Sequence, residues 1–216
     1  MRVVEREGRV VGAAVTCGKW LRVLAVDPAF RRQGIGGELL RDANAKIIAA
    51  EPGNYFTPGV LPEHAPFFEK RGYRETARTW NLIADTLPGE PRAMRAIDRA
   101  RTLDFIEREF GRIWRFEAAK APVIFIEEHD GEIAGFAAHD ANNRGLGFFG
   151  PTGVRRDLRG RGIGCRLLLA SLADLRRLGH AKAVIPWTDA LAFYDKCCGA
   201  KPANQWVTLA GIDSAP

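Results

Sequence analysis

Val154-Arg155-Arg156-Asp157-Leu158-Arg159-Gly160-Arg161-Gly162-Ile163-Gly164, with Leu167-Leu168 behind it, has a counterpart in the same chain. That counterpart is Val26-Asp27-Pro28-Ala29-Phe30-Arg31-Arg32-Gln33-Gly34-Ile35-Gly36, with Leu39-Leu40 behind it. Each stretch leads from a Val-ended apolar segment through Arg-x-x-Gly-x-Gly into apolar residues at helical spacing. Glycines at such a strand-to-helix turn let the backbone bend tightly and aim several N–H groups at one point. The helix start adds unpaired donors and a partial positive charge, so the turn reads as a nest for a diphosphate. A nucleotide-hydrolysing P-loop would need Lys-Ser/Thr after the glycines, and the dinucleotide fingerprint a third glycine; neither is present.

The repeat extends both ways from the turn. Upstream, Glu7-Gly8-Arg9-Val10-Val11-Gly12 matches Asp130-Gly131-Glu132-Ile133-Ala134-Gly135, each a hairpin turn entering an apolar strand. Downstream, Phe67-Phe68-Glu69-Lys70-Arg71-Gly72 matches Phe193-Tyr194-Asp195-Lys196-Cys197-Cys198-Gly199, with one residue more in the second copy. Three separated matches in one order indicate duplication. The pattern predicts strands near 2–5, 10–16 and 21–26, a helix over 35–50, a strand near 54–60, a helix near 63–71 and a strand near 74–84. Leu87-Pro88-Gly89-Glu90-Pro91 breaks both helix and strand and marks a boundary, giving domains 1–87 and 92–216. The second copy is expected to have a helix over 92–110, strands near 122–128, 132–139 and 146–154, and a helix to about 178. A strand at 181–187, a helix at 189–197 and a strand near 204–210 follow. The fold class expected is mixed α+β: two tandem domains, each a mostly antiparallel sheet flanked by helices. The N-terminal copy lacks the opening strand and helices.

Composition sets the outer bounds. The 216 residues are 46% hydrophobic and 27% charged, the balance of a globular protein, and no apolar run approaches the ~20 residues that span a bilayer. The N-terminus has no apolar leader, and four cysteines, two of them adjacent, do not form a disulfide framework; a cytoplasmic location and no membrane partner are expected. The net charge of +6 is spread along the chain rather than clustered with aromatics, so an anionic small molecule accounts for it better than nucleic acid. The four histidines show no metal-ligand spacing, and no metal is expected.

These motifs, with Ala190-Leu191-Ala192-Phe193-Tyr194-Asp195-Lys196 near the end, resemble the GNAT N-acetyltransferases, twice over nearly the whole chain. The resemblance implies acetyl-CoA as cosubstrate, its diphosphate cradled by Arg159, Gly160, Arg161, Gly162, Ile163 and Gly164, with Val154 along the pantetheine. In the first copy Arg31, Arg32, Gln33, Gly34, Ile35, Gly36 and Val26 stand in those places. The resemblance also makes Tyr194 the proton donor to the departing thiolate; Phe68, its counterpart, has no proton to give, so the first copy is read as non-catalytic. Candidate bases are Asp140, Glu117 and His139. Cys165, in the first turn of a helix, reads as a packing residue or as an acyl-carrying nucleophile. Ile113-Trp114-Arg115-Phe116, Gly147-Phe148-Phe149-Gly150-Pro151-Thr152-Gly153 and Ala183-Val184-Ile185-Pro186-Trp187 resemble a bacterial tandem subgroup with amino-sugar acetyltransferases among its members. The expected activity is acetyl transfer to a small primary amine. A protein N-terminus or lysine as acceptor, and a CoA-binding module without turnover, are the rival readings.

Overall fold

The structure is a computed structural model describing residues 1–49, 51, 58–89, 94–95 and 98–212. Two compact units divide the chain: Met1–Thr79 with Gln205–Pro216, and Trp80–Asn204.

In the first unit β1 (Arg2–Arg6), β2 (Arg9–Cys17) and β3 (Trp20–Val26) form an antiparallel meander. Its first turn places Glu7 and Gly8 both at positive φ, the backbone that matches strand twist in a two-residue hairpin. Helix α1 (Ile35–Ala43) lays Ile35 and Leu39 on Gly12, where an added Cβ would stand 2.9 and 3.0 Å from them. The helix expected to reach residue 50 stops seven residues earlier because Asn44 takes a left-handed conformation. Ile47–Ile48 instead form β4, parallel to β3. The strand expected over 54–60 falls mostly outside the described residues; Val60 makes an isolated bridge to Val207. Helix α2 (Ala65–Glu69) precedes β5 (Tyr73–Asp85).

The second unit opens with β6 (Met94–Arg95), α3 (Arg99–Phe110) and α4 (Arg112–Ala118), elements that have no counterpart in the first copy among the described residues. The expected helix start at 92 is corrected to Arg99, where Asp98 caps the helix by accepting from the Arg101 N–H at 2.9 Å. Strands β7 (Val123–His129), β8 (Glu132–His139) and β9 (Phe149–Val154) continue the sheet in the order β6-β7-β8-β9. Helix α5 (Ile163–Arg177), β10 (Lys182–Thr188), α6 (Leu191–Cys198) and β11 (Lys201–Gly211) complete the chain. Alternate sheet residues face different cores. Phe125, Ala137 and Phe149 pack with Leu167, Leu168 and Leu172 of α5, whereas Ile124, Phe136 and Ala138 pack with Phe105, Ile106 and Ala118 of α3 and α4. Each such buried Leu, Ile or Phe stabilises by about 1.5–3 kcal/mol.

The compact units do not divide at the linker. β10 pairs with the Trp80–Asp85 half of β5, through Ile185↔Leu82 and Lys182↔Asp85. β11 pairs with β4 through Leu209↔Ile48, and Val207 and Leu209 sit in the first unit's core. Each copy's last strand therefore contributes to both units, its halves parted at Thr79/Trp80 or Asn204/Gln205.

Candidate active site

The two Gly-rich turns are built alike. Gly34 and Gly162 cap α1 and α5 at φ 86° and 77°, a region open to glycine without strain. The Glu38 N–H donates to the Gly34 carbonyl, and the Arg166 N–H to that of Gly162, both at 3.1 Å. The N–H groups of Ile35 and Gly36, and of Ile163 and Gly164, come before the first N–H that reaches an intrahelical carbonyl and face out of the helix end. Arg31 Nε donates to the Val26 carbonyl at 3.1 Å and Arg159 Nε to that of Val154 at 3.3 Å, holding each guanidinium beside its turn. Arg161 lies against His129, and Gln33 reaches back to the Ala29 carbonyl. Arg32 and Gly160 both take positive φ. At Gly36 an added Cβ would stand 3.3 Å from the Phe67 ring, and at Gly164 3.4 Å from Phe193 and Val154, so a ring closes over each turn. Outward amides, a helix N-terminus and flanking arginines suit a diphosphate.

In the first unit these parts border a cavity of about 930 Å³, lined by β3 from Leu21 to Val26, by the turn, and by Phe67 and Phe68 of α2. In the second unit β9 and β10 meet at the parallel bridge Phe148↔Val184, where the Val184 N–H donates to the Gly147 carbonyl at 2.9 Å. Among the described residues no further β9–β10 pair follows, so the strands part beyond this root.

Two ionisable side chains lie beside this root. Tyr194, on α6, is buried, its ring edge-on to Phe149 of β9 at 6.2 Å and to Phe193 at 4.9 Å. Burial, then the neighbouring Cys198, Cys197 and Asp189, raise its pKa far above the usual tyrosine value, so the phenol keeps its proton at working pH. The unfolded chain ionises this tyrosine near pH 10 while the fold resists it, so its contribution to stability is complete below pH 10 and lost as pH rises further. The fall in urea midpoint between pH 9 and 11 is therefore expected to be smaller in Tyr194→Phe. It is not expected to vanish, because burial also raises Tyr73.

Asp140 follows β8 at φ 53°, its N–H donating to the Phe148 carbonyl at 2.9 Å. The residue is buried, and its Oδ1 has no hydrogen-bond partner among the described residues. Glu117 is wholly buried on α4, the helix packed over β9, and is engaged within the fold. His139 is also wholly buried, with Nε2 3.0 Å from Asp174 Oδ2. Asp174 is not among the candidates that residue type and spacing single out. The signal was there: it falls three residues after Ser171 and seven after Leu167, on the face of α5 that packs into the core. Cys165 meets the Cys197 thiol, which burial first, and then the hydrogen bond with Cys165, push up to about 12.

The sequence matches two family models: an acetyltransferase (GNAT) domain over residues 1–75 and the acetyltransferase (GNAT) family over residues 91–200. The chain belongs to the GNAT acetyltransferases. It is accordingly an acyl-CoA N-acyltransferase carrying two GNAT domains. No curated protein matches it. Among solved structures it resembles a GCN5-related glucosamine N-acetyltransferase region of a fungal multi-domain GH3 β-N-acetylglucosaminidase, with TM-score 0.70 and 18% identity. That match covers 94% of this chain but only 32% of the fungal one. A GCN5-related N-acetyltransferase from Sphaerobacter thermophilus aligns with TM-score 0.65 at 21% identity, covering 94% of this chain and 77% of its own. A tandem GNAT protein from the clavulanic acid biosynthesis pathway aligns with TM-score 0.60 at 18% identity, over 99% and 83% respectively. At these identities the likeness is one of fold. None of the described helices is long and apolar enough to cross a membrane.

Proposed function

We propose that the second GNAT unit transfers the acetyl group of acetyl-CoA to a small primary amine, an amino sugar being the first class to test. The observation that carries this reading is the company Tyr194 keeps. The tyrosine lies against β9 at the strand-parting root, next to the ring that closes over the Gly164 turn. Acetyl-CoA supplies an activated thioester. The amides of Ile163 and Gly164, with Arg159, Gly160, Arg161 and Gly162, hold its diphosphate, and Val154 borders its arm. Tyr194, a neutral phenol, donates a hydrogen bond where thiolate charge develops. Asp140, buried at the same root with an unengaged oxygen, takes the proton that an ammonium must lose before it can attack. Glu117 is the alternative base.

The amino-sugar preference rests on the Trp114, Phe149–Gly153 and Trp187 segments and on the glucosamine activity named for the fungal region. Thiol release from acetyl-CoA, measured with glucosamine, tyramine and a lysine peptide, tests it. Turnover confined to the peptide would replace the small amine with a protein acceptor, and no release with any of them would reject transfer by this unit. All four cysteines are free thiols, which suits a reducing cytoplasm.

For the first unit the reading is CoA binding without turnover. Arg31, Arg32, Gln33, Gly34, Ile35, Gly36 and Val26 repeat the cradle, and the cavity beside them is roomy, but Phe68 is buried where Tyr194 stands in the second unit. Calorimetry with CoA is expected to give about two sites per chain. Gly36→Leu, whose side chain would meet Phe67, is expected to reduce that to about one and to leave turnover in place. A single site in the unaltered chain would remove the first unit from CoA binding.

A further inference from the structure

His139 connects the proposed base to helix α5. Asp174 Oδ1 accepts from Arg177 Nη2 at 2.7 Å and from Nε at 3.1 Å, which keeps the carboxylate ionised. An ionised carboxylate only accepts, so the imidazole nitrogen facing it at 3.0 Å, Nε2, carries the hydrogen. In the neutral ring Nδ1 is then a bare lone pair. It has no hydrogen-bond partner among the described residues, and the group it faces is Asp140 Oδ2, 3.9 Å away. Two acceptors thus confront each other in a buried place. One proton added between them removes that confrontation and lets the pair close from 3.9 Å to hydrogen-bond distance, an interaction worth more out of water than in it. From the other packed elements Phe125 of β7 presents an aromatic ring to His139, and Phe149 of β9 is its strand partner. Among the described residues the charged groups that face the imidazole are Asp174 of α5, itself paired with Arg177, and Asp140 beside it. The first copy, aligned through its hairpin, has Thr16 and Cys17 where the second has His139 and Asp140. The pair therefore occurs in the copy with the tyrosine and is absent from the copy without it.

We propose that Asp140 and His139 form a one-proton acceptor for the acetyl-transfer reaction, with His139 as a positioning residue and Asp174 as its anchor. The proposal rests on Asp140 being the base. In the step, the acceptor's ammonium gives H⁺ to the Asp140–His139 pair; the products are the free amine and a pair that holds the one proton between Asp140 Oδ2 and His139 Nδ1. After transfer the same proton leaves to solvent, balancing the acid that acetylation of an ammonium produces.

His139→Gln tests this, because glutamine's amide can keep the donor to Asp174 but supplies nothing at Nδ1. With the best acceptor among glucosamine, tyramine and the lysine peptide, kcat is expected to fall about 10- to 100-fold. Both KM values should stay within about twofold. The acid limb of the pH–rate profile should move to lower pH, since the protonated carboxyl loses its acceptor. ¹⁵N NMR of the histidine rings in the full chain, assigned with His139→Gln, is expected to place the neutral ring's hydrogen on Nε2. Turnover equal to wild type, an unmoved acid limb, or a hydrogen on Nδ1 in the neutral ring would each overturn the proposal. Wild-type turnover lost in Asp140→Asn but kept in His139→Gln would leave the base standing and reject the role of His139. If no amine is acetylated by the wild type, the transfer reading fails by itself and the ring tautomer still decides how the pair is built.

Discussion

Tyr194→Phe is expected to lower kcat about 10²- to 10³-fold, the range one positioned hydrogen-bond donor contributes, while CoA affinity and the thermal midpoint at pH 7 stay close to wild type. The ring accounts for the second half of this expectation. Its edge-on contacts with Phe149 and Phe193 involve carbon alone, and phenylalanine retains them along with nearly all the buried area. The hydroxyl accounts for the first half. Reference values of about 10 for a tyrosine and 8.5 for a thiol already make full proton transfer to a thiolate uphill, and burial makes Tyr194 a weaker acid still. On the proposed reading the group serves as a fixed, neutral hydrogen-bond donor, and its burial puts it where such a donor has its largest effect on developing charge. A second expectation follows from the same reasoning: Tyr194 should impose no alkaline limb on the rate below pH 10. Burst kinetics with the amine panel, together with CoA calorimetry on the variant, separate these effects. Wild-type kcat in the variant would remove Tyr194 from the chemistry.

The turns were legible in the sequence because everything they need is local. A glycine at positive φ, a helix beginning one residue later and an arginine three residues before the glycine are all written within eleven residues, and both copies fold accordingly. Element ends were less legible where a single residue decides them. Asn44 ends α1 by adopting a conformation that costs asparagine little, and the apolar pattern beyond it gave no notice. Asp140 and Tyr194 stood out by residue type. That one touches Phe148 and the other Phe149 could not be read, because both contacts join residues far apart or across a turn of unpredicted shape. The Asp174–His139 pair needed more than type: a charged residue on the buried face of an otherwise apolar helix implies a partner, but the partner's strand lies 35 residues away. The destination of the last strands was beyond the reach of pattern altogether. Residues 80–85 and 205–211 are ordinary half-buried strands, and nothing in alternation specifies which sheet edge a strand joins.

That destination makes Gly59 the position where one methyl group should cost the first unit most. Val60 and Val207 exchange backbone hydrogen bonds, the Val60 N–H donating at 2.9 Å and the Val207 N–H at 2.8 Å, which fastens the end of the chain into the first unit's core. A Cβ on Gly59 would stand 2.4 Å from the Val207 carbonyl oxygen and 2.9 Å from its carbon. Carbon and carbonyl oxygen ordinarily meet at about 3.3 Å or more. Both obstructing atoms are backbone, so no rotamer change relieves the overlap. The bridge must open, or β11 must shift and carry Val207 and Leu209 with it. Gly59→Ala is therefore expected to destabilise by about 3 kcal/mol, read as a lowered urea midpoint. Gly164→Ala, whose Cβ would make contacts of 3.4 Å with the Phe193 ring and Val154, is the comparison and should cost less than about 1 kcal/mol. Equal midpoints for the two variants would mean that β11 does not lie against Gly59 in solution, and the assignment of 205–211 to the first unit would fall with it.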